Sequence, residues 1–179
     1  MRITIALIVV AALTRLLPHP DNFAPIGAMG LFAATYIGRR WATFAVPFVS
    51  LFVSDLILNN AIYSQYFDGF VFVTSWWIYA AFALVILLGL GLLHGQKVSP
   101  LRVGAVSIVG SLLFFAVTNF SVWLESGMYP RSGEGLLLCF TAALPFLGNT
   151  ILGDLFFSAV LFGVYEWAKT NNWVAEPTA

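Results

Sequence analysis

The sequence predicts an all-α membrane protein with six transmembrane helices, and three observations carry that prediction. The 179 residues are 60% hydrophobic and only 9% charged, against about 25% charged in a soluble domain. Apolar runs near 20 residues recur, and each is long enough to cross a hydrocarbon core of about 30 Å. The basic residues alternate with those runs in a way that sorts them to one side. Mean hydropathy is +0.92, so most of the surface is built to avoid water. The chain reads as one transmembrane domain over 1–169, followed by a polar tail over 170–179.

The first run covers 3–17 and is apolar until Arg15. Met1-Arg2 before an apolar run imitates a signal peptide, but Arg15 and Pro18 stand where small residues should mark cleavage. A retained helix is expected. Leu17 to Gly27, LPHPDNFAPIG, then breaks the oil with three prolines, a histidine, an aspartate and an asparagine. Pro18 and Pro20 end the first helix and hold the chain extended. Asp21 or Asn22 is expected to cap the next helix, with Pro25 in its first turn. The second run is 25–38 and ends at Arg39-Arg40. Runs of about 15 and 14 residues rise only ~21–23 Å. The pair therefore either crosses as short helices or forms a re-entrant hairpin.

The third run, 41–58, contains Pro47, and 59–69 is polar. Residues 70–93 form the fourth run, 94–102 a loop with Lys97 and Pro100, and 103–124 the fifth run. Gly127, Pro130 and Gly133 mark a turn in 125–134. Residues 135–168 exceed one straight crossing. Pro145-Phe146-Leu147-Gly148 is expected to split them into an outer segment and a sixth span over 149–168. With the N-terminus in the cytoplasm, Arg2, Arg39, Arg40, Lys97, Arg102 and Lys169 fall inside, while only Arg15 and Arg131 fall outside. That excess of inside charge orients six helices in an inner membrane, with both termini cytoplasmic.

This orientation puts the costly polar groups at outer helix ends. They are Arg15; Asp55 and Asn59; Trp76 and Trp77; Asn119 and Trp123; and Asn149 and Asp154. Asp55/Asn59, Asn119/Trp123 and Thr150/Asp154 are each four apart, so each pair shares a helix face. Charged groups at membrane depth cost about 2.5–3.5 kcal/mol each on insertion scales and normally pair or line a wet cavity. Arg15 is expected to pair with Asp55 or Asp154. The inner halves of the later helices are almost wholly apolar, which suits an outward-facing binding cup better than a pore. His19 and Asn22 would lie in its lid, and Trp76 and Trp77 could stack on a flat ring. Gly30, Ala34 and Gly38 form a small-residue stripe suited to close contact with another helix, of this chain or of a partner subunit. Cys139 is expected to be a small buried residue. Its sharper reading is a soft ligand to a metal-bearing substrate such as a corrinoid.

Zero net charge gives no reason to expect a nucleic-acid partner. No nucleophile elbow, phosphate loop or metal-ligand spacing is present. No enzymatic activity, resident metal or cofactor is expected.

The segments RLLPHPDNFAPIGAMGLFAATYIGRR, VPFVSLFVSDLIL, AVTNFSVWLESGMYP and GLLLCFTAALPFLGNTILGDLFF resemble the DUF6580 family, a bacterial membrane family described in terms of transport. More distantly, the plan resembles the substrate-binding S components of energy-coupling factor (ECF) vitamin transporters. That resemblance implies a six-helix bundle binding a vitamin or cofactor precursor, with loops 18–25, 59–69 and 125–135 as caps. It also implies a separate ATPase and scaffold module for uptake. The small-residue stripe lies in the second helix here rather than in the first, where S components carry it. The other reading of the residues is a structural subunit of a larger membrane complex, touching lipid and neighbouring helices and holding no ligand of its own.

Overall fold

The apolar runs form helices whose ends follow local chemistry. In the computed structural model, which describes residues 1–174, α1 spans Arg2–Thr14, α2 Ile26–Tyr36, α3 Arg40–Ile57, α4 Trp76–Leu92, α5 Pro100–Glu125 and α6 Gly133–Thr170. Of the expected polar tail, 175–179 lies outside the described residues. Three of the helix starts carry their own serine cap. Ser75 accepts from the Trp77 amide (3.3 Å), Ser99 from Arg102 (3.3 Å) and Ser132 from Gly135 (3.2 Å). Each satisfies one of the amides that a helix start leaves without an intrahelical partner. α1 tightens over Arg15–Leu17, whose amides bond three residues back, and stops at Pro18, which disfavours a helical residue before it.

The helix α2 explains the arrangement of the rest. Its sequence is apolar all round, which suits a helix surrounded by protein. Ala28, Met29, Leu31, Phe32, Ala33 and Ala34 are fully buried, and α2 touches each of the other five helices. At its far end, the Tyr36 hydroxyl donates to Glu166 Oε1 at 2.5 Å, and His94 Nδ1 lies 3.0 Å from the Ala34 carbonyl. At its start, the Ala28 amide meets Asp154, twelve residues before Glu166 on the same α6. Thus α2 spans only part of the length of α6, and the extended stretch before it dips into the bundle.

Three helices are long and apolar enough to cross a membrane: Arg40–Ile62, with α3 continuing through a π-helical turn, Pro100–Glu125 and Gly133–Thr170. The other three apolar helices are shorter. Of the two shortest, α2 is enclosed by the other helices, while α1 lies on the outside of the bundle with Val9, Val10 and Leu13 exposed. The expected break at Pro145 does not occur, and α6 is continuous for 38 residues. Pro145 is exposed. A proline inside an apolar helix removes one hydrogen bond, and the surrounding turns can carry the helix through it. The six helices and their all-helical character agree with expectation, while the sixth is twice the expected length.

The order of the ends also follows. Arg15 at the end of α1 meets Asp55 at the end of α3, so these two helices run the same way. Arg39, Arg40, Lys97, Arg102 and Lys169 flank helix ends near the Tyr36–Glu166 contact, and Arg131 lies in the loop at the other end. Arg15 is drawn into the wall of the bundle, with its side chain 11% exposed.

Candidate functional site

Because α1 and α2 stop short, the opposite halves of α3–α6 enclose open space above them. This is a cavity of about 390 Å³. Arg15, His19, Asn22, Ala24 and Ile26 come to it from the end of α1, the dipping stretch and the start of α2. Leu58 and Tyr63 come from the π-helical end of α3, and Ile78 from α4. Phe114, Phe115, Thr118, Asn119 and Val122 line it from α5, and Thr150 from α6. An extension of about 60 Å³ shares Asn22, Ala24, Ile26, Phe114 and Thr150, and reaches Gly27 and Asp154.

Arg15 is held firmly. Its Nη2 donates to Asp55 Oδ1 at 2.7 Å, and its Nη1 donates to the Ser54 hydroxyl and, at 3.4 Å, to the Leu51 carbonyl. The Tyr79 hydroxyl donates to the second Asp55 oxygen at 2.9 Å. The carboxylate thus has a cation and two hydrogen bonds, as a buried charge requires. Of the two expected partners for Arg15, Asp55 is the one observed.

Asp154 does something else. Its Oδ1 accepts the Ala28 amide at 3.2 Å and its Oδ2 the Ser111 hydroxyl at 2.6 Å. Ala28 is in the first turn of α2, where amides lack intrahelical partners. The cap expected from Asp21 or Asn22 is therefore supplied by a residue 126 positions away. A carboxylate at that terminus also opposes the positive end of the helix dipole. The packing is close, since a Cβ on Gly27 would lie 2.5 Å from Asp154 Oδ1. Below it, Ser107 and Ser158 share a hydrogen bond at 3.0 Å.

The dipping stretch is tied to α6 over three turns. The Asn149 carboxamide donates to the Asp21 carbonyl at 3.0 Å. Phe23 packs on Phe156 and Phe157 with ring centroids 5.8 Å away in each case. The backbone of Phe23 and Ala24 lies so near Gly153 that a Cβ there would sit 3.0–3.2 Å from it. Asn22 makes the turn with φ +62°, a left-handed conformation that asparagine tolerates better than most residues. His19 and Asn22 are exposed at the rim.

Arg15, His19, Asn22 and Asn119 line the main cavity, and Asp154 lies on its extension. Asn149 sits behind the stretch that covers it. Asp55 stands behind Arg15. Asn59 is buried in the π-helical turn, and its Nδ2 has no hydrogen-bond partner among the described residues. The tryptophans lie outside the lining of the main cavity, and Trp76 and Trp77 line a separate open hollow with Glu125. Trp76 is 74% exposed, the Trp77 indole donates to Glu125 at 2.7 Å and the Trp123 indole to the Pro130 carbonyl at 2.9 Å. An indole N–H in an apolar setting needs an acceptor, and the end of α5 and the loop after it provide one for Trp77 and Trp123.

The small-residue stripe packs within the chain over two of its three positions. A Cβ on Gly30 would lie 2.8 Å from the Phe82 ring, and one on Gly89 2.7 Å from the Ala34 Cβ. Gly30 and Ala34 therefore face α4 of the same chain, while Gly38 is exposed with open space around it. Cys139 is 2% exposed, and its thiol donates to the Asn119 carbonyl at 3.4 Å, away from the cavity. Asp55 and Asp154 belong to separate hydrogen-bond clusters and form no carboxylate pair.

Sequence reasoning missed Tyr63, Phe114, Phe115, Thr118 and Thr150 as cavity residues. The signal was present for two of them. Thr118 adjoins Asn119, and Thr150 shares the face of Asp154 one turn away. No curated protein and no solved structure matches the chain. A family model does match, over residues 1–176, and by that match the chain belongs to DUF6580, a family of unknown function.

Proposed function

We propose that the chain is a multi-pass protein of the cytoplasmic membrane whose cavity captures a small organic solute from the outer side for uptake. The observation that carries this reading is the cavity of about 390 Å³ with polar groups from four separate parts of the fold converging on an aromatic floor. Its volume falls in the range of small-molecule sites, about 300–1,000 Å³, and a mostly apolar wall with a few placed polar groups is their usual make-up. The basic residues gathered at the opposite end support an orientation in which the cavity faces outward and both termini are cytoplasmic. In plan this resembles an S component of a vitamin transporter. Among the described residues no nucleotide-binding loop is present, so uptake against a gradient would draw on a separate ATPase and scaffold module.

A second reading has one observation in its favour. A groove of about 530 Å³ lies between the start of α5 and the end of α6, lined by small and apolar residues such as Gly104, Ala159 and Gly163. It suits a chain that serves as a structural subunit in a larger membrane assembly. Native mass spectrometry of the protein, extracted gently from its own membranes, separates the two. A stoichiometric small-molecule adduct supports the solute-binding reading. No adduct together with stable co-elution of other membrane subunits would replace it with the second.

A further inference from the structure

We infer that the cavity selects a solute carrying a positively charged, hydrogen-bond-donating nitrogen group, seated between Asp154 and Thr150, with its apolar body against Phe114 and Phe115. The inference rests on the reading of the cavity as a solute site and names its ligand class.

The threonine and asparagine side chains of α5 and α6 turn acceptors toward the cavity. Thr118 donates its hydroxyl proton to the Phe114 carbonyl at 2.9 Å, and Thr150 donates its own to the Phe146 carbonyl at 3.0 Å. Asn119 spends one amide proton on the Phe115 carbonyl at 2.8 Å. In each case the partner is the carbonyl one turn back, the usual outlet for such protons in an apolar helix. Lone pairs on Thr118 Oγ1, Thr150 Oγ1 and Asn119 Oδ1 remain toward the cavity, beside the Asn22 carboxamide and the Tyr63 hydroxyl, which can donate or accept. His19 Nδ1 lies 3.0 Å from the Pro20 carbonyl. That oxygen can only accept, so Nε2 of the neutral ring is an acceptor as well.

The charges point the same way. Arg15 is the cation on the wall, but its terminal nitrogens are engaged by Asp55, Ser54 and Leu51, and Asp55 balances its charge. An anionic ligand would have to compete with Asp55 for it. The hydrogen bonds of Asp154 all come from uncharged groups. No ion pair to it occurs among the described residues, and it borders the small extension that Thr150 also lines. An ammonium or amidinium there gains charge-assisted hydrogen bonds, whereas a carboxylate or phosphate meets like charge and acceptors.

Three probes that share one ring system test this: tryptamine, tryptophol and indole-3-acetate. Each is dialysed to equilibrium against the protein in nanodiscs, with empty nanodiscs as the reference. The expected result is retention of tryptamine alone, abolished by the cavity-filling Phe114→Trp. Thr150→Val keeps the shape and removes one acceptor, and it should weaken tryptamine about tenfold, the value of one charge-assisted hydrogen bond. Asp154→Asn should weaken it further, and Thr150→Val keeps the test decisive if loss of the α2 cap unfolds that variant. Tryptophol or indole-3-acetate binding as tightly as tryptamine, and sensitive to Phe114→Trp, overturns the inference and leaves the solute-binding reading standing. Tryptamine retention that is absent, or unchanged by Phe114→Trp, overturns the inference too. The adduct measurement then judges the solute-binding reading independently.

Discussion

Asp154, in the middle of α6, caps the first turn of α2 by accepting the Ala28 amide at 3.2 Å, while Ser111 on α5 donates to its other oxygen. One carboxylate thereby joins three helices at the level where α2 begins. The dipping stretch ends there, and the cavity opens above it.

The fit between Asp154 and α2 depends on the bare Cα of Gly27. A Cβ there would lie 2.5–2.7 Å from the carboxylate, too near for any rotamer of Asp154 that keeps both hydrogen bonds. Gly27→Ala is expected to destabilise the protein by about 1–3 kcal/mol, the usual range for overpacking. Gly163→Ala, on the same α6 but in open space, should leave stability unchanged or raise it by up to about 1 kcal/mol. Thermal unfolding in one detergent compares the two. Equal melting temperatures would show that the capping contact is not as close as described.

Arg15 and Asp55 form a largely buried pair, with side chains 11% and 10% exposed. Arg15→Leu leaves a carboxylate with only the Tyr79 hydroxyl as partner, and the expected cost is about 3–5 kcal/mol. The double variant Arg15→Leu/Asp55→Leu should recover a large part of that loss, because no unpaired charge remains. Tyr79→Phe alone should cost about 1.5–3 kcal/mol, as for a hydrogen bond to a charged group. A double variant as unstable as Arg15→Leu would assign the loss to packing rather than to charge.

Close approach of α2 to α4 requires the small residues at both sides. Gly30→Leu and Gly89→Leu would drive side chains into Phe82 and Ala34. Each should reduce the folded yield sharply, by at least the roughly 1–3 kcal/mol that an added buried methylene costs. Gly38→Leu, next to open space, should fold normally. If Gly30→Leu folded with wild-type stability but lost a partner protein on purification, the stripe would be an external interface after all.

The legible part of the fold was the part governed by local chemistry. Apolar runs and the two prolines after Arg15 marked where helices lie and where the first one ends. The high cost of lone charges in an apolar chain required Arg15 to have a carboxylate partner, although not which one. What could not be read was depth. Pro145 looks like a break in isolation, and whether its turn holds depends on neighbouring turns that the sequence does not display. α2 looked marginal as a crossing because its burial against five helices is a tertiary fact. Four-residue spacing put Asn119 and Trp123 on one face, yet their polar atoms part company. Asn119 lies in the cavity wall, and the Trp123 indole turns to Pro130 in the next loop. Thr118 and Thr150 carried a signal in their neighbours Asn119 and Asp154, but spacing alone does not say which threonines face open space.

The most direct test of the central claim compares small-molecule adducts by native mass spectrometry across three proteins purified alike from native membranes. They are the wild type, Phe114→Trp, which fills the cavity, and Trp76→Leu, which alters an exposed rim residue. The account predicts a single adduct mass on the wild type and on Trp76→Leu, and none on a folded Phe114→Trp. An adduct that persists in Phe114→Trp, or its absence from all three proteins, would contradict the claim that this cavity holds a solute.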